Sequence, residues 1–221
     1  MENFKVSNKG SATLFKNSFL ERLTRTNFLV PVVLYSFTGV AVAVYAAWSF
    51  TLPVYAQVLL FFAGWLVFTL FEYLIHRFLF HFEAITQKQK EVQYKIHGVH
   101  HHFPKDKDRL AMPVVLSLVL AALFFFLFTF LLGKNGYPFF AGFIIGYAAY
   151  LYIHYAVHRY RQPHNFLSIL WKHHSLHHYK SENTAFAVSN PLWDYVFGTL
   201  PPKKAIKKED IERLPDEEYV F

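Results

Sequence analysis

Residues 137–158 read YPFFAGFIIGYAAYLYIHYAVH. From Tyr137 to about Ile153 this run holds no Asp, Glu, Lys, Arg or His. It approaches the roughly 20 apolar residues that a bilayer core requires. Two histidines then follow, His154 and His158. Spaced i, i+4, they lie about 40° apart around an α-helix, so one metal ion or two neighbouring ions can see both. An apolar span that ends in a pair of metal ligands sets the reading of everything else.

Three further runs are as apolar. Phe28 to Phe50 and Leu110 to Leu132 hold no Asp, Glu, Lys, Arg or His, and Leu52 to about Leu74 holds only Glu72, near its end. The chain of 221 residues is 54% hydrophobic and 17% charged, against about 25% charged in an average soluble domain. Four such helices cannot all be buried in one small soluble chain. The expected fold is all-α and multi-pass, with four transmembrane helices. The turn Leu132-Gly133-Lys134-Asn135-Gly136-Tyr137-Pro138 makes the third and fourth spans a hairpin. Thr51-Leu52-Pro53 joins the first two. We expect an N-terminal segment at 1–27, a membrane domain at 28–202 and a charged tail at 203–221, with a helical stretch around Lys207 to Leu214. The first apolar run is too long for a signal-peptide core, so no cleaved leader is expected.

Net charge is +7, and its placement says more than its size. Of 22 Lys and Arg, all but Lys134 fall in the N-terminal segment, between spans two and three, or after span four. The positive-inside rule then places both termini and the long middle loop in the cytoplasm. Lysines that flank spans are explained by orientation and anionic lipid head groups, so no nucleic-acid partner is expected.

All thirteen histidines lie between His76 and His178. Spans two and four run towards the same face, so the histidine clusters converge on the cytoplasmic side in a helical cap. His97, His100 and His101 repeat the i, i+3, i+4 pattern, and so do His174, His177 and His178. His76 and His81 are i, i+5, about 140° apart on an ideal helix. They share a face only if the helix ends or distorts between them; otherwise they serve different metals. The candidate ligands are His76, His81, His97, His100, His101, His154, His158, His174, His177 and His178. Ten neutral imidazoles are too many for one ion and suit two. With no cysteine in the chain, thiolate sites and disulfides are excluded. An imidazole set suits iron, zinc, copper or nickel. Zinc has no redox chemistry, whereas two irons can activate dioxygen. His102, His164 and His173 fall outside the spacing pattern. Glu72, one turn before His76, reads either as an orienting partner of that imidazole or as a helix-end carboxylate paired with a Lys or Arg. Asn190-Pro191 and then LWDYVFGTL read as a turn and a short amphipathic piece lying on the membrane over the site.

The motifs HRFLFH (76–81), HGVHH (97–101), HYAVH (154–158) and HHSLHH (173–178), in this order around two span hairpins, resemble the fatty acid hydroxylase/sterol desaturase superfamily. FEYLIHRFLFHF (71–82), HGVHHHFPKDKDRLAMP (97–113) and LWDYVFGTLPP (192–202) resemble its fatty acid 2-hydroxylases most closely, over roughly residues 65 to 202. The resemblance implies a di-iron monooxygenase that uses O2 as co-substrate to hydroxylate C2 of a long acyl chain, often one in or bound for a sphingolipid. The family's ten histidine ligands carry over to the ten candidates above, and zinc can occupy such a site in a purified sample. Leu151 stands where animal members tend to carry Asp. About 27 residues precede the first span, too few for the cytochrome b5 domain that eukaryotic members often carry. A separate electron donor is therefore expected: a ferredoxin, a rubredoxin or free cytochrome b5. The compact form resembles bacterial members, which favours the inner membrane over the endoplasmic reticulum. Carotenoid and sterol hydroxylases or desaturases share the histidine spacing and remain alternatives. A metal transporter is a further alternative, against which stands the absence of ionisable ligands at mid-span.

Overall fold

The computed structural model describes residues 6–201, so the expected tail at 203–221 and its helical stretch lie outside the described residues. The chain opens with α1 (Ser18–Leu23), α2 (Leu29–Ser49) and α3 (Val54–Leu74). Helix α3 passes without a break into a π-helical turn, Ile75–Phe80. Helix α4 (Gln87–Gln93) passes likewise into a second π-helical turn, Tyr94–Gly98, and then α5 (Val99–His102). After a 3-10 turn at Lys107–Arg109 come α6 (Val114–Leu132), a 3-10 turn at Gly133–Asn135, α7 (Gly136–Arg159), α8 (Ser168–Tyr179) and α9 (Leu192–Val196). No strand occurs among the described residues.

Three helical stretches are long and apolar enough to cross a membrane: Leu29–Ser49, Val54–Phe80 and Lys107–Arg159. The last runs to 53 residues and contains both α6 and α7. Their outer faces are apolar and open, with Trp48 90% and Phe130 86% exposed. A soluble monomer does not leave so broad an apolar surface in water, and the chain is a membrane protein.

The described residues pack as two compact units. One comprises 15–71 and 108–152; the other comprises 6–14, 72–107 and 153–201.

In the first unit, α6 and α7 fold back on each other. Phe128 meets Phe139 at 4.9 Å between ring centroids, and Phe124 meets Phe143 at 5.0 Å. The reversal is made at Gly133, whose φ of 56° is one that a Cβ would strain. Threonine hydroxyls in these helices are tied to their own backbones, as an apolar surround demands. Thr38 donates to the Leu34 carbonyl and Thr129 to that of Phe125, each at 2.8 Å. Buried Tyr35 donates to Ser117 at 2.6 Å, which in turn donates to the Val114 carbonyl. Helix α6 starts at Val114 rather than Leu110 because Pro113 sits at its N-cap, outside the helix, with ψ 130°.

Helices α3 and α7 cross where both backbones are bare. A Cβ built on Gly64 would lie 1.9 Å from the Phe139 carbonyl oxygen, and one on Gly142 would lie 1.8 Å from that of Phe61. Small residues let helices approach this closely in lipid, where packing rather than water drives association. Replacing Gly142 with Ala should therefore destabilise the chain by about 1–3 kcal/mol, read as a lower midpoint of thermal unfolding in detergent. The matching Val119→Ala, at a side chain 61% exposed, should leave the midpoint in place.

Candidate metal centre

The second unit carries all ten candidate ligands. Their positions follow from how two helices distort. At the end of α3, the His81 amide donates to the His76 carbonyl at 3.1 Å, an i→i−5 bond. A π-turn winds more residues into each turn than an α-helix, so residues five apart come to one side. The structure thus resolves the i, i+5 ambiguity by distortion, and His76 and His81 sit together. The ring centroids are 5.0 Å apart.

The middle loop is built in the same manner. Thr86 and Gln89 form a capping box that starts α4, satisfying amides that would otherwise be orphaned. The second π-turn then delivers His97, and α5 delivers His100 and His101. Helix α7 runs past the apolar span and presents His154 and His158, while α8 presents His174, His177 and His178.

These side chains sort into two groups of five. One is His76, His81, His97, His101 and His177; the other is His100, His154, His158, His174 and His178. Within each group the ligand nitrogens all lie within 4.8 Å of one another. In both HxxHH segments the i and i+4 histidines share a group, and the i+3 histidine turns to the other. The groups adjoin: the rings of His101 and His178 stack with centroids 4.2 Å apart.

The inner nitrogens approach as ligands of one ion do. In the first group His76 Nε2 lies 3.0 Å from His97 Nε2, and His101 Nε2 lies 3.1 Å from the same atom. In the second, His154 Nε2 is 3.0 Å from His100 Nε2, and His178 Nε2 is 3.1 Å from His174 Nε2. Two nitrogens about 2.1 Å from one metal and at right angles are about 3.0 Å apart. In the first group, hydrogen bonds among the imidazoles cannot serve every one of these approaches. The Nδ1 of His76 donates to the Phe186 carbonyl, and that of His177 to the Thr184 carbonyl. Each Nε2 is then a bare lone pair. His97 has one Nε2 proton at most, and two nitrogens face it.

Burial keeps these rings neutral. It pushes His97, His100, His101, His174, His177 and His178 well below the usual imidazole range, and the neighbouring imidazoles push further in the same direction. Neutral imidazole is the ligand form. The residues present therefore fit two ions of a nitrogen-preferring transition metal.

The three histidines expected outside the pattern stay outside both groups. His102 bonds Tyr94 through Nδ1 at 3.1 Å, His173 is half-buried and His164 is exposed. Glu72 corrects both expectations. Among the described residues its oxygens bond neither an imidazole nor a Lys or Arg. They accept from the amides of Val188 at 2.7 Å and Ser189 at 2.9 Å, and from the Ser189 hydroxyl. Sequence reasoning missed Asp194. It is fully buried and accepts from the amides of Phe186 at 2.9 Å and Ala187 at 3.0 Å. The signal was one acidic residue inside the otherwise apolar LWDYVFG. In helix α9 Asp194 faces in, while Tyr195 and Val196 are exposed.

A family model for fatty acid hydroxylases matches residues 61–199. The ceramide very long chain fatty acid hydroxylase SCS7 of Saccharomyces cerevisiae is 39% identical over 92% of this chain and 53% of its own length. The dihydroceramide fatty acyl 2-hydroxylase FAH1 of Arabidopsis thaliana is 31% identical over 92% of this chain and 86% of its own. A solved structure of full-length scs7p with only the hydroxylase domain visible superposes with a TM-score of 0.79 at 39% identity, covering 88% of this chain and 74% of that one. The chain thus spans about half the length of the yeast protein it matches.

Removing one ligand from either group should release one ion. His97→Ala and His174→Ala are each expected to lower the metal content of the purified protein by about one ion per chain by elemental mass spectrometry. His164→Ala should hold the wild-type amount.

Proposed function

This chain belongs to the fatty acid hydroxylase family, and from that membership we propose that it is a membrane fatty acid 2-hydroxylase. It inserts one oxygen atom of O2 at C2 of a long acyl chain, free or held in a sphingolipid such as a ceramide. The observation that carries the proposal is the pair of adjoining five-histidine groups in a chain related to enzymes named for this reaction. Residues 28–202 form the hydroxylase domain.

The ten histidines hold two iron ions, five to each, and zinc can fill the same nitrogen sets in a purified sample. Bound there, a pair of irons supplies dioxygen activation and C–H oxidation. One oxygen atom of O2 enters the product and the other leaves as water. The reaction therefore consumes two electrons and two protons, and a donor protein such as a ferredoxin, a rubredoxin or a cytochrome b5 supplies the electrons.

The chain's own residues set the rest. Burial of the imidazoles excludes water and keeps their lone pairs free for metal. The carbonyls of Phe186 and Thr184 hold the His76 and His177 rings with Nε2 inward. Four crossings, with α6 and α7 as separate spans, place both termini and the histidines on the cytoplasmic face, in accord with the charge distribution. Histidines that follow directly on apolar helices meet a substrate at the head-group layer. There C2, beside the carbonyl, would lie at the histidine groups while the rest of the acyl chain stays in lipid. The relatives named above come from a fungus and a plant, and neither favours a bacterial inner membrane over the endoplasmic reticulum.

Cells expressing the chain under 18O2 should gain acyl lipids with one labelled oxygen at C2, read by lipid mass spectrometry, and His154→Ala should abolish the gain. Labelled sterols or carotenoids with unchanged acyl chains would overturn the choice of substrate. The orientation has its own test, made simple because the chain has no cysteine. In sealed vesicles whose cytoplasmic face is turned outward, an impermeant maleimide should label His164→Cys directly and Lys134→Cys only after permeabilisation.

A further inference from the structure

The two histidine groups are not held alike. In the first, two of five rings are fixed from behind, His76 by the Phe186 carbonyl and His177 by the Thr184 carbonyl. In the second, the Nδ1 atoms of His100, His174 and His178 are buried and meet no hydrogen-bond partner among the described residues.

The carbonyls of the first group sit on one loop, residues 184–189, and that loop is itself gripped. Asp194 accepts from the Phe186 and Ala187 amides, and Glu72 accepts from those of Val188 and Ser189. Four consecutive amides thus end on two buried carboxylates. Asp194 takes a third bond as well: Thr199 donates to its Oδ1 at 2.7 Å, and the Tyr73 hydroxyl pairs with Thr199 at 2.9 Å. The loop is anchored at the residue that matters. The Phe186 amide is bound by Asp194, and the Phe186 carbonyl receives His76. The Phe186 ring packs against the rings of His81 and His177, at 5.5 and 5.6 Å. An imidazole whose far nitrogen donates to a fixed acceptor is pre-oriented and a stronger ligand.

We propose that Asp194 is a positioning residue that acts through the Thr184–Ser189 loop on His76 and His177, making the first group the tighter metal site and leaving the second as the one that exchanges its ion. This rests on the reading of the ten histidines as a two-metal centre.

The test follows metal release from the purified, metal-loaded full chain after addition of a chelator. Wild type should release one ion quickly and one slowly. Asp194→Ala should speed the slow phase roughly ten- to a hundred-fold and leave the fast phase alone. Asp194→Asn, which keeps the side-chain volume and one acceptor oxygen, should give an intermediate rate and serves if the Ala variant does not fold. Glu72→Gln keeps an acceptor for both of its amides and should preserve the slow phase. Two backgrounds assign the site. With His100→Ala the ion that remains should become labile when Asp194→Ala is added; with His81→Ala it should not respond. Unchanged rates in Asp194→Ala and Asp194→Asn, equal acceleration of both phases, or a response confined to the His81→Ala background would overturn the proposal. A wild-type chain that binds no metal would instead sink the two-metal reading itself, and this inference with it.

Discussion

Ten imidazoles packed nitrogen to nitrogen, nearly all of them buried, are the constraint on which the rest of the structure depends. Lone pairs that face each other at about 3 Å are unfavourable unless a proton or a cation lies between them. Protons can serve few of these contacts: burial disfavours the charged rings, and the carbonyls of Phe186 and Thr184 draw the protons of His76 and His177 to the far side. What remains is a cation that takes nitrogen. Much of the second unit reads as the means of holding such a cluster in place. Two π-turns deliver ligands, two helices present i, i+4 pairs, and a loop and two buried carboxylates hold the far nitrogens of the first group.

Much of this was legible in the sequence, for a definite reason. Long apolar runs report helices in lipid whatever their neighbours do, so the bounds of α2, α3 and α7 lie close to the runs read at Phe28, Leu52 and Tyr137. The i, i+4 histidines are legible because helical spacing is local. His154 and His158 share a group as their spacing implies. The division of each HxxHH segment between two groups was not legible. Which neighbour turns to which group depends on helices far apart in the chain.

Tertiary context also decided the features that local reading missed. A π-turn has no sequence signature in HRFLFH; it is revealed only by the His81-to-His76 backbone bond. Glu72 looked like a partner for His76 because it sits one turn away, but its acceptors are used by amides 116 and 117 positions later. Asp194 drew no notice in the sequence; folded, it accepts from two amides of the loop whose carbonyls meet His76 and His177. The Gly64–Gly142 crossing likewise needs two helices 78 positions apart in sequence to be seen side by side.

The most direct test of the central claim is an anomalous-scattering structure of the metal-loaded chain, collected at the absorption edge of the metal supplied. Two peaks are predicted, one inside His76, His81, His97, His101 and His177 and one inside His100, His154, His158, His174 and His178. A single peak shared by both groups, peaks at His102, His164 or His173, or no peak among the histidines would contradict it.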